Sequence, residues 1–168
     1  YYFSFYGPQD FVKAREGISI VKLEDMSLKM VEIPELKDIA KFSISHEMER
    51  GAGTMATQEN LYLVQRGANL YFSSATYNFV YQIDIPSGNA KKLEFHSNIT
   101  SDAKSLNFET TAISEKQFYE LSKQKMNQVS FGKILFDESR NLFWRFSSDP
   151  DQIGKNKVNI FDKATIET

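Results

Sequence analysis

Between Leu61 and Phe95 the chain places three turn-forming clusters between four short runs of aromatic and β-branched residues, and Val129 to Glu167 repeats that texture after a helix-like interruption. Runs this short cannot build long helices, and turns this close bring each run back beside its predecessor. The chain is therefore read as mainly β, in repeated antiparallel meanders that resemble the blades of a β-propeller. The expected architecture is a partial propeller, or a fragment of one, with one short helix near residues 114–127.

The first meander is the most legible. Leu61-Tyr62-Leu63-Val64 and Leu70-Tyr71-Phe72 flank Arg66-Gly67-Ala68-Asn69, where Gly67 and Asn69 tolerate the positive φ that a tight hairpin demands. After Ser73-Ser74-Ala75-Thr76, the odd-numbered Tyr77, Phe79, Tyr81, Ile83 and Ile85 share one face, while Asn78, Gln82 and Asp84 share the other. That pattern predicts a half-buried strand, returned by Pro86-Ser87-Gly88-Asn89 into Lys91–Phe95. The second meander runs Val129–Phe136, turns through Asp137–Asn141 and returns as Leu142–Phe146, with Leu142, Trp144 and Phe146 on one face and Phe143 and Arg145 on the other. A third run, Lys157–Asp162, ends in Phe-Asp-x-x-Thr at Phe161, Asp162 and Thr165, which echoes Ile-Asp-x-x-Ser at Ile83, Asp84 and Ser87. The two tails lie 78 residues apart (162 minus 84), about two units of the ~40–45 residues of a propeller blade, which with the helix inserted counts as one complete blade plus an excursion.

Upstream, Ile18–Leu23 and Ser27–Ile33 alternate as a hairpin that ends at Pro34. From 35 to 56, Ile39, Phe42 and Ile44 read as strand-like and His46–Arg50 as a helical turn before Gly51 and Gly53. Ser114-x-x-Gln117 opens the short helix as a capping box, with Phe118, Leu121 and Lys125 at helical spacing.

Phe131-Gly132-x-Ile134-Leu135-Phe136-Asp137, followed by Leu142-Phe143-Trp144-Arg145-Phe146 and preceded by Tyr77-Asn78-Phe79 and Phe95–Thr100, resembles an uncharacterised six-bladed propeller family. Its members are predicted lipid-anchored or secreted envelope proteins of gut-type Gram-negative bacteria, recorded as a domain of unknown function. The resemblance spans roughly residues 55 to 168 and implies a propeller and a cell-envelope location, with no activity to carry over. The 168 residues supply only about three to four blades at ~40–45 residues each. They are accordingly expected to be a single β-meander domain, residues 1–168, within a longer chain; the aromatic opening Tyr1–Tyr6 and the closing Ala164–Thr168 look like edges that expect neighbours.

Twenty basic against 22 acidic residues, without runs of either sign, leave no basic footprint for nucleic acid. No window approaches the roughly 18 apolar residues of a spanning helix, so the expected contact with a membrane is only through a lipid anchor outside this sequence. The absence of cysteine removes disulfides and thiolate chemistry. The histidines, His46 and His96, have Glu47, Glu49 or Glu94 nearby in sequence but lack the spacing of a metal-binding helix; they read as turn or surface residues. Asp149-Pro150-Asp151-Gln152-Ile153-Gly154 imitates half a calcium loop, yet Ile153 stands where an oxygen is needed. Gly51-Ala52-Gly53-Thr54-Met55-Ala56 matches G-x-G-x-x-A without a preceding apolar strand. Asn98-Ile99-Thr100 is a glycosylation acceptor only in a eukaryotic secretory setting. No cofactor is expected, nor any assigned catalytic or metal residue.

The expected function is a non-enzymatic binding or scaffold module of the cell envelope, periplasmic or anchored at the outer membrane, displaying loops 35–56, 96–113 and 147–156 to a glycan, peptide or protein ligand. The alternatives are a glycan-directed hydrolase whose carboxylates, such as Glu47 and Asp149, converge, and a structural fragment without the working surface.

Overall fold

The computed structural model describes residues 1–7, 14–49, 52–98, 100–150 and the backbone of 165–167. Antiparallel meanders dominate, as the turn spacing requires, and none of the sheets closes on itself.

The N-terminal sheet joins β1 (Tyr2–Tyr6), β2 (Gly17–Lys22) and β3 (Ser27–Glu32) in sequence order. Phe3 pairs with Ile20, Phe5 with Ile18, and Ile18 with Val31, so the two-residue period collects these side chains on one face. The expected hairpin is present, and the Asp25 carboxylate closes its turn by accepting from the Ser27 amide at 3.0 Å.

Beyond Pro34 the expectation inverts. Ile39 lies in helix α1 (Leu36–Ala40), whereas His46 lies in strand β4 (Ser45–Glu47), paired through His46↔Met55 with β5 (Thr54–Ala56). Leu36 and Ile39 are three residues apart and both buried, and burying that pair on one face of a helical turn outweighs the strand-like look of Ile39, Phe42 and Ile44.

The central sheet is β6 (Leu61–Arg66), β7 (Asn69–Ser74), β8 (Phe79–Asp84) and β9 (Ala90–Glu94), again in sequence order. Gly67 takes φ +55° in the first turn, a left-handed conformation that glycine adopts without a Cβ clash. Asp84 accepts from the Ser87 amide at 2.8 Å in the last. Leu70, Phe72, Phe79, Tyr81 and Ile83 face Ile18, Ile20 and Val31, forming the main core together with Ile33, Leu36 and Ile39. Burying each of these large aliphatic or aromatic side chains contributes about 1.5–3 kcal/mol. The predicted half-buried strand, however, is covered twice: Val80 on its opposite face packs with Tyr71 of β7 on Ile134, and Asn78 is buried too.

The second cover is the C-terminal sheet, β10 (Ser130–Asp137), β11 (Leu142–Ser148) and β12 (Thr165–Glu167). Ile134 pairs with Arg145 and Phe136 with Phe143, so these four share the inner face, where the Phe143 ring lies 4.9 Å from that of Tyr71. A bulge between Phe131 and Ile134 absorbs the odd spacing that would otherwise turn one of two buried residues outward. Leu135, Leu142, Trp144 and Phe146 take the outer face, where Trp144 is only half-buried. The run 157–162, with Phe161 and Asp162, lies outside the described residues, as do Gly51, Ile99 and Asp151–Gly154.

Helix α2 (Glu115–Met126) matches expectation in place and face, burying Phe118, Leu121 and Lys125. The Ser114 hydroxyl accepts from the Gln117 amide at 3.2 Å; the reciprocal bond differs, because Gln117 accepts from Ile113 (2.7 Å) in place of Ser114. Phe118 and Leu121 pack on Ile44 and Ala112, with Met55 and Phe108 at the margin, in a small lobe of their own. No described helix is long and apolar enough to cross a membrane.

Candidate functional site

Two of the three loops expected to carry function are fastened together. The Ser45 amide donates to the Thr110 carbonyl (2.9 Å) and the Ala112 amide to Ser45 (2.8 Å), while His46 Nδ1 lies 3.0 Å from the Ala112 carbonyl. These bonds lock 35–56 against 96–113. Met48, Leu106 and Ile113 remain exposed on them, Ile113 at 88 %, and Phe95 is exposed just before the second. The third loop is described only to Pro150.

The sequence-flagged ionisable residues do not assemble. Glu47 and Glu49 are exposed near the β4–β5 turn, Glu94 is exposed at the end of β9 beside Lys92 at 2.9 Å, and Asp149 is buried after β11. Glu47 thus lies in the β4–β5 sheet and Asp149 just past the end of β11, one in solvent and one covered. No group of three or more potential metal ligands occurs among the described residues.

His96 is exposed, and its Nδ1 lies 2.5 Å from Asp102 Oδ2. The other oxygen of Asp102 accepts from the Ser97 amide (2.8 Å) and the Asn78 side chain (3.3 Å). The Ser97 amide, His96 and Asn78 together outweigh the small cost of burial and hold the Asp102 carboxyl below the usual range. The Asp102 carbonyl also receives the Asn78 amide at 2.7 Å. Asp102 is therefore the post to which the 96–102 loop is tied on the central sheet.

The densest charged group was not legible as a site. Glu59, just before β6, sits between two ammonium groups: Lys104 Nζ at 2.7 Å and Lys125 Nζ at 2.8 Å. The carboxylate side chain is 2 % exposed and each lysine side chain 7 %. Thr76 donates to Glu59 at 2.9 Å, and Lys125 donates to the Thr57 hydroxyl at 3.0 Å. Burial would raise the Glu59 carboxyl, but the Lys104 and Lys125 ammoniums hold it below its ordinary value. Burial pulls Lys125 below its ordinary value against the opposing pull of Glu59. Glu59 also borders a cavity of about 60 Å³ that Arg15, Ser43 and Gln58 help to line. Sequence reasoning placed Lys125 on the buried face of the helix but attached no charge partner to it; the partner is 66 residues away (125 minus 59), and no local pattern reports such a pairing. A carboxylate kept ionised and saturated by three donors serves poorly as a proton donor, so the cluster's chemistry is cohesion between α2, the 103–105 segment and the central sheet.

A comparable role falls to Arg145. Its guanidinium donates to the carbonyls of Gly132 (3.0 Å), Ser74 (2.7 Å) and Tyr77 (3.1 Å) and lies 4.9 Å from the Phe131 ring centre. The buried 73–76 segment, which leads from β7 towards the next strand, is where this side chain docks.

No curated protein and no solved structure matches the chain. A family model, described as "Domain of unknown function (DUF4221)", matches residues 1–164 and so takes in the N-terminal sheet as well as the two meanders. By that match over nearly its whole length, the chain belongs to this family.

Proposed function

We propose that the protein is a non-enzymatic binding or scaffold module of the bacterial cell envelope, built from blade-like sheets in a propeller arrangement. The observation that carries the binding role is the pair of mutually bonded loops, 35–56 and 96–113, which hold Met48, Leu106 and Ile113 out in solvent, with Phe95 exposed at the entry to the second loop. Fixed apolar side chains exposed on anchored loops lower the ordering cost of recognition. The propeller reading is supported by three successive antiparallel meanders, the central one covered on both faces by its neighbours. The envelope location rests on the sequence resemblance.

The test is a screen of the purified chain against glycan arrays and peptide libraries, repeated with Phe95→Ser/Ile113→Ser. Saturable binding by the parent, lost in the double variant at unchanged melting temperature, is the expected result. Binding that survives the double variant, or turnover of any glycan, would overturn the reading. Fractionation of cells expressing the natural full-length protein should recover it with the envelope; recovery in the cytosol would remove that part of the proposal.

A further inference from the structure

A second concavity, lined by no residue of those loops, lies where the N-terminal sheet meets the β8–β9 turn. It encloses about 280 Å³, at the small end of ligand pockets. Its apolar floor is Ile20 and Ile85, each only 1 % exposed at the residue level. Tyr1 and Pro86 form flat walls, and Lys22 and Lys29 supply its cations.

The two lysines differ in what they have left to offer. Lys22 is already shared by Glu24 at 3.1 Å and Asp25 at 3.2 Å, and these carboxylates raise its pKa, so its charge is spent. Lys29 projects from the inner face of β3, in register with Ile20, and donates to the Pro86 carbonyl. Among the described residues no carboxylate lies within salt-bridge distance of it. An ammonium has three donors, and the Pro86 carbonyl takes one. Asp84, on the β8–β9 turn, feels the Lys29 charge through space without forming an ion pair with it, so the pocket joins an apolar floor to one cation that no carboxylate holds in direct contact.

We infer that this pocket binds a small organic monoanion, a carboxylate on a flat or compact apolar body, with the body on Ile20 and Ile85 and the carboxylate on Lys29. A neutral analogue of the same shape keeps the floor contacts and loses the ion pair; a cationic one is placed against the Lys29 ammonium. A hydroxyl-rich ligand would be mismatched to the two isoleucines, which accept no hydrogen bonds. This inference is independent of the loop surface and stands or falls without it.

The probes are benzoate, benzamide and benzylamine, titrated into the methyl-labelled chain while the Ile20 and Ile85 methyl resonances are followed. Saturable benzoate shifts at both methyls, with benzamide at least fivefold weaker, benzylamine weaker still, and benzoate affinity falling as salt is raised, are the expected results. Lys29→Met keeps the aliphatic stem and should bring benzoate down to the benzamide level, whereas Lys91→Met, an exposed lysine outside the pocket, should leave it unchanged. Equal affinity for benzoate and benzamide, or no saturable shift at these methyls, would overturn the inference. Should Lys29→Met fail to fold, the three probes on the unaltered chain decide the matter alone.

Discussion

At the scale of single residues, the molecule's most consequential decision is to bury two ammonium groups on one carboxylate. Removing the shared acid leaves both cations stranded, so Glu59→Gln should destabilise the chain by about 3–5 kcal/mol. Lys125→Met removes one cation, leaves the Glu59–Lys104 pair neutral and fills the space with an apolar stem; it should cost far less, under about 1.5 kcal/mol. Urea unfolding of the two variants checks the order. The pH dependence follows from the same cluster. Because the folded state lowers the Lys125 pKa below its ordinary 10.5, the folded chain releases that proton first, and stability should rise with pH from the folded value up to about 10.5. Glu59 acts at the other end: its lowered folded pKa gives stability that is present above the unfolded value and is lost as pH falls through the folded one. Melting curves across pH should show a shallower alkaline rise in Lys125→Met. Arg145 offers a second residue-scale test. Arg145→Lys cannot reproduce a planar fork aimed at three carbonyls, and leaving buried carbonyls unsatisfied costs about 1–3 kcal/mol each, so a loss of at least about 2 kcal/mol in chemical denaturation is expected.

At the scale of elements, legibility followed locality. The β2–β3 and β6–β7 hairpins, the β8–β9 turn and helix α2 could all be read because alternation, a left-handed glycine or a capping serine lies within a few residues of what it controls. Gly67→Ala should cost about 1 kcal/mol through the φ +55° it would force on a side chain, in a site otherwise open. Ser114→Ala should cost about 1 kcal/mol for the lost cap. Both are measurable as shifts in unfolding midpoint at constant slope. What escaped the sequence was decided between elements. Helix α1 and strand β4 exchanged their expected identities because Leu36 and Ile39 are buried together, and the β10 bulge arises because Phe131 and Ile134 must both face inward. The Glu59 cluster and the Arg145 anchor draw donors and acceptors from segments tens of residues apart, and neither short-range spacing nor composition carries that information.

At the scale of the whole molecule, three sheets lie face to face, and burial is concentrated between them. The outer faces are a different environment. Leu28, at 58 % exposure on the outward side of β3, should tolerate Leu28→Ser within about 0.5 kcal/mol, whereas Ile18→Ala on the inward side of β2 should cost about 2–5 kcal/mol. Trp144→Ala, at a half-buried ring on the outer face of β11, should cost less than the ~3–5 kcal/mol of truncating a buried aromatic. Calorimetry on the three variants would map the layer order without further structural work.

The central sheet has one more consequence, for the time course of exchange with solvent deuterium. Its strands β6 to β9 follow one another without interruption, yet the cover on one face comes from residues before them and on the other from residues after them. Opening either outer sheet alone bares one face and leaves the β7 and β8 amides bonded on both sides. Those amides should therefore exchange only when the entire chain unfolds, while β1 and β11, each in an outer sheet, exchange through partial openings of lower free energy.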